Sequence, residues 1–162
     1  MDEDAGRYAR ATGTERYLAI VKAADEVTAR LMATYDVTVE DVDVTPFGGE
    51  VTRGLRIAPR NAGAPLSILV TTFPGVWASF GSSEAESFPN CGCDGCDENP
   101  DDVAAELIAR IDAITRGNFR ETTRGYEFTF VDGEAGRESG RVLRPAPVDY
   151  EAWRVPAQHA TG

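Results

Sequence analysis

The stretch FPNCGCDGCDENP, residues 88–100, sets the organisation predicted for the rest of the chain. It contains all three cysteines of the protein together with two glycines, and it ends at a strong helix start. Asn99 is a preferred N-cap, and Pro100 fits the first helical position, where a missing N–H is no loss. Two aspartates follow at the positive end of the helix dipole. The stretch therefore predicts a cysteine-rich loop that leads directly into a helix.

Two helices are predicted from apolar residues that recur at steps of three and four. The second helix starts at Pro100 and ends before Gly117, and its predicted buried stripe is Val103, Leu107, Ile111 and Ile114. The first helix runs from Glu15, with Thr14 as a possible N-cap, and its predicted stripe is Leu18, Val21, Ala24, Val27, Leu31 and Tyr35.

Alternating apolar and polar residues predict strands between and after the helices. The predicted strand segments are 37–44 with a break near Asp41, 51–59, a central hairpin of 66–73 and 76–80, 119–123, 126–130 and 141–143. The order of helices and strands predicts an α+β fold, in which a mostly antiparallel sheet of about five to six strands packs with two main helices.

A single domain is predicted over residues 14–156. Residues 1–13 are assigned to a loose N-terminal lead-in and residues 157–162 to a C-terminal tail. In neither segment do apolar residues recur at the spacing of a helix or a strand. Tyr150 and Trp153 are the residues expected to anchor the last segment to the body of the domain.

Composition and charge narrow the class of protein. The chain has 162 residues, of which 42% are hydrophobic, and a formal net charge of -11. An acidic N-terminus and the lack of a long apolar run argue against a secretory signal or a membrane span, so a cytoplasmic location is predicted. Strong negative charge repels phosphate backbones and anionic headgroups, which argues against nucleic acid and membrane partners. A protein partner is expected instead, and a basic one would complement the negative charge.

The spacing of Cys91, Cys93 and Cys96 is CxCxxC, which places three sulfurs within reach of one small sphere. A structural zinc ion takes four ligands, so the cluster lacks one. His159 is the only histidine and is the predicted fourth ligand. Asp94 and Asp97 are the local alternatives. The spacing thus predicts a zinc-stabilised loop held by Cys91, Cys93, Cys96 and His159.

Other interpretations of the cysteines stay open. Cys93 and Cys96 have the CxxC spacing of a redox pair, although the surrounding carboxylates are expected to raise the thiol pKa and so disfavour a reactive thiolate. An iron–sulfur cluster ordinarily takes four cysteines, and only three exist. The thiols could also be functionally silent.

Other polar groups offer weaker candidates. Asp41 and Asp43 lie on one face of a strand and could form a carboxylate pair, but a solvated strand face is the simpler interpretation. The arginines at positions 53, 56 and 60 could bind an anion, although surface ion pairs are the commoner arrangement. Nucleotide-binding glycine motifs and a GxSxG elbow do not occur.

The segment from Pro89 to Glu98, with Gly117-Asn118-Phe119-Arg120-Glu121 after the second helix, carries a family resemblance. It resembles the P-x-C-G-C-D-x-C-D-E signature of a family of small uncharacterised actinobacterial proteins. The resemblance implies that the cysteine stretch is a family feature, and it implies no substrate or mechanism.

The predicted function is that of a small acidic, non-enzymatic protein that acts through protein–protein interaction, in the manner of an immunity protein or adaptor. The alternative is a thiol-redox or metal-dependent enzyme that uses the CxCxxC segment.

Overall fold

The computed structural model describes residues 6–139 and 143–157, with side chains to residue 136 in the first range. The described chain contains two helices, α1 (Leu18–Thr34) and α2 (Pro100–Thr115), and a 3₁₀ turn at Thr14–Tyr17 precedes α1. One antiparallel sheet has the order β1 (Val37–Asp41), β2 (Val51–Pro59), β3 (Leu66–Thr71), β4 (Gly75–Phe80) and β5 (Glu86–Phe88). A second antiparallel sheet is built from β6 (Phe119–Glu121), β7 (Gly125–Thr129), β8 (Ala135–Ser139) and β9 (Val148–Asp149), in the spatial order β8-β7-β6-β9.

The prediction of an α+β fold with antiparallel strands and two main helices is confirmed. The strands are divided between two sheets, because the segment after α2 pairs with itself and with the C-terminal segment instead of joining the first sheet. The predicted hairpin is formed by β3 and β4 and lies inside the first sheet, with β2 and β5 on its two sides.

The buried face of α1 differs from the predicted stripe. The residues of this segment that are buried are Tyr17, Ile20, Ala24, Val27, Thr28 and Leu31, whereas Leu18 is 55% exposed. The chain enters the helix through a 3₁₀ turn, which has three residues per turn instead of 3.6, so the first buried positions are shifted by one residue. Gly13, not Thr14, is the N-cap of this turn, and no side chain caps it.

The predicted start and stripe of α2 are confirmed. The Asn99 side chain accepts hydrogen bonds from the backbone N–H groups of Asp101 and Asp102, and Pro100 is the first helical residue. The four residues of the predicted stripe are all buried, and Gly117 follows the helix with a left-handed φ of 74°. Because β5 ends at Phe88 and α2 begins at Pro100, the cysteine loop is fixed at both ends.

The C-terminal segment is anchored as predicted. The Trp153 indole is buried and donates a hydrogen bond from Nε1 to the carbonyl oxygen of Ala64 at 2.9 Å. Three short strands, β5, β8 and β9, were not predicted, since each forms by pairing with a neighbour and none shows a clear apolar alternation. The strand predicted at 141–143 falls largely on residues 141 and 142, which lie outside the described residues.

A buried carboxylate joins the two sheets. Glu121 of β6 is 1% exposed and accepts hydrogen bonds from the backbone N–H and hydroxyl of Ser82, which follows β4. Arg144 and the Tyr150 hydroxyl also donate to this carboxylate, at 3.2 and 2.9 Å. Burial and the hydrogen bond with Glu121 raise the pKa of Tyr150 to about 12. Donors from Ser82, Arg144 and Tyr150 therefore converge on one buried side chain.

We expect Glu121→Gln to lower the free energy of unfolding by roughly 3 kcal/mol, because Arg144 loses its buried counter-charge and one donor meets an amide N–H₂. Urea unfolding followed by circular dichroism measures this loss. Glu26→Gln is the matched control, because Glu26 makes only an exposed ion pair with Lys22 at 3.8 Å. Equal losses in the two variants would contradict a structural role for the Glu121 network.

Candidate metal centre

The structure brings the sulfurs of Cys91, Cys93 and Cys96 together in the loop between β5 and α2. The three Sγ atoms lie within 4.8 Å of one another, and those of Cys91 and Cys93 are 3.1 Å apart. All three thiols are free, since a disulfide requires a sulfur separation of about 2.05 Å. Tetrahedral zinc–thiolate bonds of about 2.3 Å place sulfurs about 3.8 Å apart, so small side-chain movements suffice to surround one ion.

Hydrogen bonds from the Cys91 thiol and from the loop backbone lower the pKa of Cys93. The Cys91 thiol donates to the Cys93 sulfur, and the backbone N–H of Cys96 also donates to it. Together these hydrogen bonds lower the pKa of Cys93 to about 7, which is opposite to the direction expected from the surrounding carboxylates. The neighbouring thiols of Cys91 and Cys93 raise the pKa of Cys96 to about 12. The thiolate is the form that binds metals, so Cys93 is prepared to be the first ligand.

The carboxylates in the loop bind other groups of the protein. Asp94 accepts hydrogen bonds from the backbone N–H of Thr12 at 2.7 Å and from the Thr12 hydroxyl at 3.0 Å. The backbone N–H of Thr12 lowers the pKa of Asp94. Asp97 forms an ion pair with Arg16 at 3.0 Å. Among the described residues, the group placed to hold a metal ion contains the three cysteines and neither aspartate.

Glu98 closes the base of the loop. Its two carboxylate oxygens accept hydrogen bonds from the backbone N–H groups of Asn90 and Cys91, each at 3.0 Å. Residues at the two ends of the loop are therefore held together by one side chain. A carboxylate that accepts two backbone N–H groups is fixed in position, and it fixes the Cys91 backbone in turn.

The N-terminal segment packs on the loop, and sequence reasoning did not single out its residues. The carbonyl oxygens of Arg7 and Arg10 accept hydrogen bonds from the N–H groups of Gly95 and Asp94, at 3.1 and 2.8 Å. The polar sequence of residues 1–13 gave no signal for this contact. Thr12 and Asp94 are 82 positions apart, so only the folded chain brings them together.

Gly92 and Gly95 are needed for close approach and not for an unusual backbone conformation, since neither has a positive φ. A Cβ atom on Gly92 would lie 2.1 Å from the ring of Phe73, and one on Gly95 would lie 2.6 Å from the ring of Tyr8. The two aromatic rings thus pack directly on the loop backbone. Glycine at these two positions therefore leaves room for the rings.

The weaker candidates have structural roles. Asp43 accepts a hydrogen bond from the N–H of Thr45 at 3.0 Å, and its hydrogen bonds with Thr45 lower the pKa of Asp43. Arg53 and Arg60 form surface ion pairs with Asp25 and Asp36, at 2.8 and 3.0 Å. These contacts fit the simpler interpretations of a solvated strand and of surface ion pairs.

His159 lies outside the described residues, so its assignment as the fourth ligand stays a prediction.

In the part of the chain that the structure describes, neither helix is both long and apolar enough to cross a bilayer.

Comparison with known proteins places the chain in a family. It belongs to the family of unknown function DUF6226, whose model matches residues 2–161. The expected membership in an uncharacterised family is thereby confirmed, while the actinobacterial origin and the exact signature stay predictions. The searches of curated proteins and of solved structures return no match.

We expect Cys93 to be the thiol that iodoacetamide modifies fastest in the reduced, metal-free protein. Its rate should rise with pH through a midpoint near 7, because a lowered pKa gives more thiolate at neutral pH. Peptide mass spectrometry after timed alkylation identifies the modified residue. Cys96→Ser keeps the backbone N–H and should keep this fast phase, whereas Cys93→Ser should remove it. A fastest thiol with a midpoint near 9 would contradict the assignment.

Gly92→Ala should destabilise the loop by about 1–3 kcal/mol, because the new methyl group overlaps the Phe73 ring. In the double variant with Phe73→Leu, the smaller side chain should restore part of the loss. Unfolding of both variants and of Phe73→Leu alone gives the coupling energy. Additive losses would show that the overlap does not determine the cost.

Proposed function

We propose that this protein is a metal-binding domain in which Cys91, Cys93 and Cys96 hold one zinc ion. The observation that carries the proposal is the convergence of the three sulfurs within 4.8 Å, in a loop fixed at both ends. Three soft donors in one place match the ligand preference of zinc and of other thiophilic ions.

The surroundings of the sulfurs support this proposal. The Cys93 pKa is already lowered to about 7, so metal binding displaces fewer protons at neutral pH than it would from ordinary thiols. The acidic side chains of the loop bind backbone and arginine groups, which leaves sulfur as the donor type in the cluster.

The ion would also join separate parts of the chain. The loop contacts the N-terminal segment through Asp94 and the start of α1 through Arg16. A metal that fixes the three cysteines would therefore stabilise these contacts as well, and a protein partner would meet a single ordered surface. The predicted interaction with a partner protein is retained on this basis.

A redox role is the second candidate, favoured by the lowered pKa of Cys93. A disulfide between Cys93 and Cys96 needs only two sulfurs, whereas the structure brings three together. The metal-binding role uses all three, so the geometry favours it over the redox role.

Zinc content tests the proposal. We expect protein purified without chelator to bind one zinc ion per chain, detected by native mass spectrometry and by elemental analysis. Each variant Cys91→Ser, Cys93→Ser and Cys96→Ser should lose most of the bound zinc. Asp36→Asn is the matched control and should retain it, because Asp36 lies after α1, outside the loop, and pairs with Arg60. Circular dichroism verifies that the variants are folded.

Two results would contradict the proposal. One is wild-type protein that fails to bind zinc after reduction and dialysis against the ion. The other is zinc binding that survives all three cysteine substitutions, which would place the ion elsewhere in the acidic chain.

A further inference from the structure

A cavity of about 620 Å³ lies at the hairpin end of the first sheet, where the turn between β3 and β4 meets the cysteine loop and the N-terminal segment. Three aromatic side chains line it, and each comes from a different part of the chain: Tyr8 from the N-terminal segment, Phe73 from the turn and Trp77 from β4. The volume is within the range of small-molecule sites, roughly 300–1,000 Å³. The cavity therefore has the size of a ligand site and a wall rich in aromatic rings.

Trp77 lies on the face of the sheet that is turned away from the helices. Its neighbours in β4, Val76 and Ala78, are buried in the core that contains α1 and α2, and side chains alternate along a strand. Trp77 is only half-buried, and its ring meets the ring of Phe47 edge-on, with centroids 6.0 Å apart. The indole is thus held in place by the strand and by Phe47, outside the main core.

The other two rings are also fixed by packing and yet partly uncovered. Phe73 packs on Gly92 and on the ring of Tyr17, with centroids 5.8 Å apart, and it is still 38% exposed. Tyr8 packs on Gly95 and is 64% exposed. Much of both rings is therefore left uncovered by the described part of the chain. Rings that are already held in position lose little freedom when a ligand binds to them.

The charges of the cavity also bear on its ligand. Glu50 lies on the wall, and its backbone carbonyl accepts hydrogen bonds from the N–H and hydroxyl of Thr72, at 2.9 and 3.0 Å. Arg10 brings one positive charge to the same wall. These two local charges balance, so the formal charge of -11 on the whole chain determines which ions are attracted. A negative field of this kind concentrates cations and repels anions.

We propose that this cavity binds small compounds with a quaternary or methylated ammonium group, which packs against the rings of Tyr8, Phe73 and Trp77 with Glu50 as its counter-charge. The face of an aromatic ring carries partial negative charge and attracts a cation, and several rings around one ammonium group are the usual means of binding it. The binding is non-covalent. It requires no metal ion, so the proposal is independent of the proposed function and goes beyond it.

The same physical chemistry separates this ligand class from two others. A neutral compound of equal shape packs on the rings but gains nothing from their partial charge or from Glu50. A primary ammonium compound carries the charge, but it must give up strong hydrogen bonds to water that aromatic faces do not replace. The methylated ammonium group has both the charge and the apolar surface that the wall offers.

Calorimetric titration of the full-length protein with choline provides the test. The matched ligand control is the neutral analogue in which carbon replaces the choline nitrogen, and we expect choline to bind more tightly. Trp77→Leu should weaken choline binding roughly two- to thirtyfold while changing the affinity for the neutral analogue less. Glu50→Gln should weaken choline binding alone. Met32→Ala and Glu26→Gln, at exposed positions on α1, should change neither affinity.

Glycine betaine carries the same quaternary ammonium group together with a carboxylate, and it distinguishes two sources of this chemistry. Tighter binding of glycine betaine than of choline would add Arg10 as the partner of the carboxylate, and Arg10→Gln should then remove the difference. Tighter binding of choline would identify a simple cation as the ligand. Either result supports a site for the quaternary ammonium group.

Three results would overturn the proposal. One is wild-type protein that binds neither choline nor glycine betaine at millimolar concentration. Another is equal affinity for choline and its neutral analogue, which would show that the positive charge is not recognised. The third is choline binding that both Trp77→Leu and Glu50→Gln leave unchanged, which would place the cation elsewhere on the acidic surface. The zinc content of the same samples is measured separately, so the failure of one proposal does not affect the other.

Discussion

The hydrogen bonds that the loop carboxylates accept are the constraint on which the candidate centre depends. Glu98 holds the two ends of the loop together through the backbone N–H groups of Asn90 and Cys91. Asp94 and Asp97 hold the outer part of the loop against Thr12 and Arg16. These contacts hold the loop in the conformation that brings its three sulfurs within 4.8 Å of one another.

The position of the loop follows from the fold around it. The first sheet and α2 fix its ends, while the N-terminal segment and the start of α1 cover one side. Phe73 packs on Gly92 after leaving β3, which brings the hairpin end of the sheet to the same place. The centre thus lies where four parts of the chain meet, and Cys91 and Cys93 also line a cavity of about 620 Å³. A metal ion here would stabilise contacts that are far apart in sequence.

The fold could largely be predicted because its main elements have strong local signals. The Asn99 cap and Pro100 determine the start of α2, and the two-sided apolar pattern of β3 and β4 requires a central position in the sheet. The short strand β5 could not be predicted, since it is defined by its pairing with β4. The shift in the buried face of α1 depends on the preceding 3₁₀ turn, whereas the sequence pattern predicted an ordinary helix start with Thr14 as the N-cap.

The candidate site could be predicted only in part. The spacing of the cysteines was sufficient to expect that their sulfurs converge, because the three residues are close in sequence. The contacts of Asp94 and Asp97 involve residues more than 80 positions away, so the sequence could not show that both carboxylates bind other groups of the protein. The direction of the Cys93 pKa likewise depends on the hydrogen bonds of the folded loop.

The most direct test of this account is the X-ray absorption spectrum of the zinc-loaded protein at the zinc edge, which counts the sulfur neighbours of the ion. Three sulfurs at about 2.3 Å with one lighter nitrogen or oxygen neighbour is the result that the geometry predicts. A first shell made of oxygen and nitrogen, with one sulfur or none, would contradict the claim that the cysteine trio forms the metal site.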